Sequence, residues 1–380
     1  MMGEHSPMAA ERDSAQALDL LRRMIGIDSR SFVSNLAIAE LMEGELAGWQ
    51  VERIDYVDPA GVKKRNLVAV EPGQRPRIAF AGHLDTVADT EWQRNPFEAT
   101  LEGDNLHGLG ACDMKGPIAA FVTAIKALPP AERPMIVLTA DEETGKQGAR
   151  ETVARSALLK DIAPACFLVA EPTVNGIVRG HRVDVQFVAH AKGVQAHSST
   201  GKGLNANIAM IPFLADMRAL YLRLREDTSL HDPQYDPPFC DLNMVVDNYG
   251  AFNNVTVGLA TTRIKFRYSK SFDPAWVIAE VTQSATRHGL ELIVKPEAPP
   301  PELPPDHPLV VKAEAILGRR AEVAGIGTEA SEYSRLAPAI VCGPGDVAHA
   351  HRPVEHINMA QFVASIDNFR RLARELPDAV

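Results

Sequence analysis

Five short stretches hold most of the side chains able to do chemistry. AGHLDT offers His83 and Asp85, GLGACDMKG offers Asp113, TADEETG offers Glu142 and Glu143, AEPT offers Glu171, and GDVAHAHRP offers His349 and His351. Imidazoles and carboxylates with no thiolate among them form a donor set that suits two zinc, cobalt or manganese ions held close together. Glu142 and Glu143 raise a question of their own, because two adjacent carboxylates follow the apolar run PMIVLTA, where a buried strand leaves the core.

These stretches act together only if the fold converges them. NLVAV (66–70), RIAFAG (77–82), PMIVLTA (134–140) and ACFLVA (165–170) are short, nearly continuous apolar runs, the pattern of central strands covered on both faces by helices. The last three run out into HLD, DEE and EPT, and open α/β sheets bind ligands outside the carboxyl ends of their strands. Two helices are expected ahead of them, in SAQALDLLRRMIG and NLAIAELMEGELAGW, with Ser14 capping the first and the thirteen residues before it frayed.

From about Arg179 the pattern changes. VDVQFVAHA, a helical stretch over 205–225, DLNMVVDNY, TTRIKFRYS, a helix near 274–288 and ELIVK follow one another, the β-α-β-β-α-β order of a ferredoxin-like sandwich. The proline-dense PEAPPPELPPDHP (296–308) continues neither a helix nor a central strand and marks the return. PAIVCGPG and a last helix over 359–376 then complete the first domain. The expected boundaries are 1–178 with 297–380 for that domain and 179–296 for the insert.

Composition narrows the function. The 380 residues exceed one typical core. With 39 basic against 49 acidic residues, a net charge of −10 and no basic block, the chain is not expected to bind nucleic acid. Cys112, Cys166, Cys240 and Cys342 are scattered, with no C-x-x-C pair, so they point to neither a disulfide framework nor a thiolate zinc site and suit a reducing cytoplasm. No stretch reaches the roughly eighteen apolar residues that span a bilayer, and the start lacks a signal peptide's apolar core, so no membrane partner is expected.

Taken singly, each motif has a bland alternative. HLD at a strand end is usually a turn, adjacent glutamates commonly open a solvated helix, and Asp113 could cap one. Together and in order, however, His-x-Asp-Thr, the Asp of G-x-x-D-M-K-G, the Glu-Glu pair, Glu-Pro-Thr and a late GPG followed by Ala-His resemble the M20 family of metallopeptidases and deacetylases, from about residue 15 to 375. LHGLGACDMKG, TADEETGKQGAR, and GTEA followed by VCGPGDVAHAHRPVEHI look most like the acetylornithine deacetylases within it.

The resemblance implies a zinc-peptidase-like catalytic domain, a mixed central sheet flanked by helices, with an inserted α+β ferredoxin-like lid and dimerisation domain. It implies two divalent ions, zinc foremost, with cobalt or manganese as alternatives. Asp113 would bridge them, with His83 and Glu171 completing one ion and Glu143 and His351 the other. His351 takes the family's Ala-His position, ahead of His349 and His356. Asp85 would orient the His83 imidazole, and Glu142 would pass a proton from water to the leaving nitrogen. His197, in AHSS, would hydrogen-bond the oxyanion, reaching across a homodimer into the neighbouring subunit's site. Asn254, Arg267, Gly327 and Thr328 match positions that hold the substrate carboxylate.

Two departures, Lys265 in place of an acidic residue and Arg182-Val183 in place of Lys-Gly, touch the substrate end, and Arg182 joins the substrate-binding candidates. The implied reaction is hydrolysis of a small N-acyl amino acid, with N2-acetylornithine foremost. A desuccinylase, a dipeptidase, a carboxypeptidase or another N-acyl amino acid deacylase keeps the same chemistry. A non-catalytic metal- or ligand-binding protein is the alternative from another class, and a carboxylate at Glu142 that binds no metal argues against it.

Overall fold

The computed structural model describes residues 7–379. The chain forms two compact units, one comprising the chain up to Gly180, Pro301–Glu322 and the chain from Thr328, the other His181–Pro300 with Val323–Gly327. The short second passage, Val323–Gly327, is not marked by the proline-rich segment, and the strand Ala321–Ala324 at its boundary is too brief to show a period in the sequence.

The first helix, Pro7–Ile25, starts well before Ser14. Ser14 lies inside it, donating its hydroxyl to the Ala10 carbonyl at 2.8 Å, and caps nothing. The preceding Ala9, Ala10, Glu11 and Arg12 are strong helix formers, and Asp13 is drawn inward by a buried ion pair with Arg370 on the last helix. Residues 7–13 are therefore helical rather than frayed, and the rest of that expected frayed start lies outside the described residues.

In the first unit an eight-stranded sheet runs Gln50–Val57, Lys63–Val70, Met135–Thr139, Ile78–His83, Cys166–Val169, Ala339–Val341, Ile177–His181, Ala321–Ala324. Its middle four strands are parallel to one another, and antiparallel pairings lie on both sides of them. The mixed sheet with flanking helices is the expected architecture. Gln50–Val57, with the sequence QVERIDYV, escapes a reading by apolar runs because it is an edge strand with only Ile54 buried.

Parallel strands end at the same edge of a sheet. That brings HLD after Ile78–His83, DEE after Met135–Thr139 and EPT after Cys166–Val169 side by side. Beneath them lies the helix Lys115–Lys126, whose residues 115–125 are all buried. Phe80, Phe121 and Phe369 meet edge-on at 5.8–6.1 Å between ring centroids, which ties this helix to the sheet and to the last helix, Met359–Glu375. The helix starts just after Asp113, and a Cβ on Gly116 would stand 2.2 Å from the Ala111 carbonyl oxygen. Only a glycine lets the loop carrying Asp113 fold that tightly onto its helix.

The inserted unit has its own core. Four antiparallel strands run in the order Asp241–Asp247, Leu259–Tyr268, Val183–Lys192, Glu291–Pro296. Their inward residues, Val183, Val185, Phe187, Ile264 and Phe266 among them, pack with Met210 and Phe213 of helix Ala206–Glu226 and Val277 and Val281 of helix Ala275–Arg287. Counted along the chain, the first and third strands, Val183–Lys192 and Leu259–Tyr268, are central and the second and fourth are edges, the ferredoxin-like arrangement. Among the described residues no helix is long and apolar enough to cross a membrane.

Gly116→Ala should lower stability by roughly 1–3 kcal/mol, the usual cost of overpacking. Urea denaturation checks this, and an unchanged midpoint with an unchanged slope would mean that the contact relaxes freely.

Candidate dinuclear metal centre

The strand ends bring together two donor groups that share one residue: His83, Asp113 and Glu171, and Asp113, Glu143 and His351. Asp113 divides its oxygens between them. Oδ1 lies 3.1 Å from His83 Nε2, and Oδ2 lies 3.3 Å from His351 Nε2. Glu171 stands 3.8 Å from His83 Nε2, and Glu143 stands 3.0 Å from His351 Nε2. Ligand atoms sharing a tetrahedral zinc ion sit about 3.3 Å from one another, given metal–ligand bonds near 2.0–2.1 Å, so these separations fit shared cations. His83 is sealed at 1% side-chain exposure while His351 is 52% exposed, so the second group is the one open to solvent.

Asp85 holds the site together in a way that the HLD motif does not disclose. The nearest partner of His83 Nδ1 is the Asp85 backbone carbonyl, at 3.0 Å, and the carboxylate stands back at 3.5 Å. A carbonyl only accepts, so Nδ1 carries the proton and Nε2 faces Asp113 as a ligand atom. The Asp85 carboxylate instead accepts from the Ser31 hydroxyl at 2.7 Å and from the backbone N–H groups of Glu142 and Glu143 at 3.2 and 3.3 Å. One side chain therefore positions the turn that carries both glutamates.

Glu355 does the same for Asp113, a role that no motif around it announces. It is 1% exposed. Its carboxylate accepts from the N–H groups of Gly110, Cys112 and Asp113 at 3.1, 2.9 and 3.0 Å, and its backbone carbonyl from that of Gly108 at 3.2 Å. The only signal was an acidic residue four places after His351, and glutamates are seldom buried. Glu329, next to Thr328, was likewise passed over. It is fully buried against the Thr139 hydroxyl, and burial pushes its carboxyl up to about 8.

The electrostatics favour cations. Burial, reinforced by the charge of Asp113, pushes Glu143 up to about 8 and Glu171 well above the carboxylate range. Burial also raises Glu142. Burial acts the same way on Asp113, but hydrogen bonds with His351 and His83 outweigh it and hold Asp113 below the usual range. His351 is drawn up to about 11 by hydrogen bonds with Asp113 and Glu143, so the two carboxylates favour positive charge on the neighbouring imidazole. Four carboxylates so close together in a buried site are what two dications neutralise, and the residues fit such a pair. Glu142 belongs to neither donor group.

The remaining expected residues fall elsewhere. His349 packs at a tilt against His356, with ring centroids 4.2 Å apart, and is in neither group. Thr328, in the first unit, is buried and accepts from the Ala330 N–H at 3.1 Å. In the inserted unit His197 opens a short 3-10 turn, with Nδ1 and the Ser199 hydroxyl 2.8 Å apart. The exposed Asn254 accepts from the Ser198 N–H through its carbonyl. Gly327 is exposed. Arg267 pairs with Asp241 at 3.4 Å, and Lys265 with Asp184 at 3.0 Å. Arg182 is buried, donating to the Pro237 carbonyl at 2.7 Å over the Tyr235 ring, so its guanidinium serves the interior of its own unit.

A mixed α/β sheet gathering two donor groups about one carboxylate defines a class, the metallohydrolases of zinc-peptidase-like fold. Residues 79–375 match the family model described as peptidase family M20/M25/M40, and the chain belongs to that family of hydrolytic enzymes. It is 31% identical over 330 residues to acetylornithine deacetylase of Pectobacterium carotovorum, covering 82% of this chain and 85% of that protein. In fold it resembles a dipeptidase of Saccharomyces cerevisiae, with a TM-score of 0.75, 12% identity and 98% and 99% of the two chains covered. It also resembles a Bacillus subtilis protein described as a dinuclear metal-binding peptidase of the M20 family, with a TM-score of 0.64, 14% identity and 97% and 100% covered.

Glu355→Gln replaces one acceptor oxygen with an NH2 that must face a backbone N–H. Metal affinity should fall about 10- to 100-fold, the scale for outer-shell partners of metal ligands, while the circular dichroism spectrum is kept. Wild-type affinity by competition with a chelating dye would remove Glu355 from this role.

Proposed function

We propose that the chain hydrolyses the amide bond of a small N-acyl amino acid and, within that class, deacetylates N2-acetylornithine to ornithine and acetate. One observation carries the hydrolytic reading: a half-buried carboxylate, Glu142, beside two donor groups and in neither of them. A protein that only bound metal would have no use for it. The substrate rests on the 31% identity to a protein named acetylornithine deacetylase over most of both chains.

His83, Asp113 and Glu171 would hold one divalent ion, and Asp113, Glu143 and His351 the other, zinc foremost and cobalt or manganese as alternatives. Such ions supply Lewis acidity and a water acidic near pH 7, about the range in which a carboxylate can deprotonate it. Glu142 takes that proton on its carboxylate and delivers it to the leaving nitrogen, so one group is base and then acid. Asp85 keeps Glu142 in place through its backbone N–H. Arg267 and Asn254, with Gly327 and Thr328, would receive the substrate carboxylate, and His197 would donate to the oxyanion.

His197 would act across a homodimer. Support for the dimer comes from the inserted unit, whose edge strand Asp241–Asp247 exposes Val245 and Val246 and whose helix Ala206–Glu226 exposes Ile208 and Ile211. Uncovered apolar edges of this kind pair with a copy of themselves.

Glu142→Gln should lower kcat by ~100-fold or more with metal content unchanged, the scale of general acid–base catalysis, whereas Glu143→Gln should lose metal. Elemental analysis showing the reverse would exchange the two roles. On a panel of N-acyl amino acids and dipeptides, N2-acetylornithine should give the highest kcat/KM. A succinylated or dipeptide substrate ahead of it would replace the substrate and leave the chemistry.

Mixed dimers test His197. Glu142→Gln and His197→Ala homodimers should both be severely impaired. In a purified mixed dimer one site holds both wild-type groups, so about half of the wild-type rate should return if the sites are shared between subunits. Mixed dimers as slow as their parents would confine His197 to its own chain or remove it from the reaction.

A further inference from the structure

Lys64, on the strand Lys63–Val70, is a buried ammonium outside the donor set. Its Nζ lies 2.8 Å from Asp141 Oδ1 and donates to the Ser31 and Val33 carbonyls at 2.6 and 2.8 Å. Two hydrogen-bonded carbonyls and one ion-paired carboxylate oxygen thus surround the ammonium.

Two of those acceptors lead to the turn that carries Glu142 and Glu143. Asp141 precedes them directly and adopts φ +60°, a left-handed conformation that aspartate tolerates better than most side chains. Its second carboxylate oxygen accepts from the Tyr56 hydroxyl at 2.8 Å, and Tyr56 is the register partner of Lys64 on the neighbouring strand. Its carbonyl accepts from the N–H groups of Lys146 and Gln147 at 2.8 and 3.3 Å, closing the turn. From the other side, Ser31 is held by its carbonyl on Lys64 and donates its hydroxyl to Asp85, which in turn accepts the Glu142 and Glu143 amides.

We propose that Lys64 is a positioning residue for Glu142. It fixes the backbone of the 141–143 turn through Asp141 on one side and through Ser31 and Asp85 on the other, so that the Glu142 carboxylate stands beside the donor groups without joining them. The proposal rests on the reading of Glu142 as the proton carrier. It goes further by assigning the placement of that carboxylate to a cation that touches neither metal ligand nor substrate.

A purely structural role makes a different forecast. Replacing a buried ion pair by neutral groups of similar size is often harmless to stability, whereas removing one partner strands the other charge. Lys64→Met should therefore be poorly stable, and Lys64→Met with Asp141→Asn should fold. If Lys64 only stabilises, that double variant regains activity; if Lys64 positions, it does not.

The test compares wild type, Glu142→Gln and the double variant, all metal-loaded, by thermal unfolding, metal content, hydrogen exchange over residues 140–147, and kcat and KM on the best amide of the panel. The double variant should melt near wild type and keep its metal, while the amides of the turn exchange about tenfold faster or more through local opening. Its kcat should fall ~100-fold with KM nearly unchanged, the scale for a slightly misplaced reacting group. Wild-type exchange and wild-type kcat in the folded double variant would overturn the proposal. Should that variant not fold, Ser31→Ala cuts the link from Lys64 through Ser31 to Asp85 and should move exchange and kcat in the same directions by less, and wild-type values there overturn it equally. A fully active Glu142→Gln would overturn the proton-carrier reading instead, and the exchange data would still decide whether Lys64 orders the turn.

Discussion

Asp113 gives one oxygen to each of two donor groups, and the surrounding structure is arranged so that this sharing can hold. The other donors come from three strand ends and a late loop, each from a distant part of the chain. A carboxylate spans two positions only if the loop carrying it cannot shift, which is why Gly116 lets the following helix press on that loop and why Glu355 grips its amides. Burial and mutual repulsion push Glu143 and Glu171 upward, so the site is under electrostatic stress that bound dications relieve.

The acidic residues here have two distinct tasks. Asp113, Glu143 and Glu171 face the place of the cations, while Asp85 and Glu355 face backbone amides. Each carboxylate fastens two or three residues of loop at once; hydrogen bonds to an ionised acceptor are about twice as strong as neutral ones, and Asp85 is held below the usual carboxylate range, whereas burial raises Glu355 to about 7. Asp85 orders the glutamate turn and Glu355 orders the Asp113 loop. The helix Lys115–Lys126, buried over 115–125, gives the Asp113 loop a rigid base. Asp141, in its left-handed conformation, is where the strand Met135–Thr139 breaks off, and its pairing with Lys64 and Tyr56 makes that break repeatable.

The sequence by itself determined the donor types, their order, their places at the ends of apolar runs, and the strand and helix order of the insert. All of these are local: a buried parallel strand is a continuous apolar run, and a half-buried strand such as Val183–Lys192 alternates. Edge strands such as Gln50–Val57 and brief ones such as Ala321–Ala324 lack either mark and went unread. So did the true start of the first helix, because what draws Asp13 inward is Arg370, at the far end of the chain. Only the tertiary structure decided which oxygen of Asp113 faces which imidazole, that Asp85 bonds His83 through its carbonyl, and that Glu355 and Lys64 are buried at all. Glu355 meets the Cys112 amide across 243 residues of sequence. Nothing in the local pattern distinguishes such a glutamate from a solvated one, because whether a charge is buried depends on the partners that the folded chain brings to it.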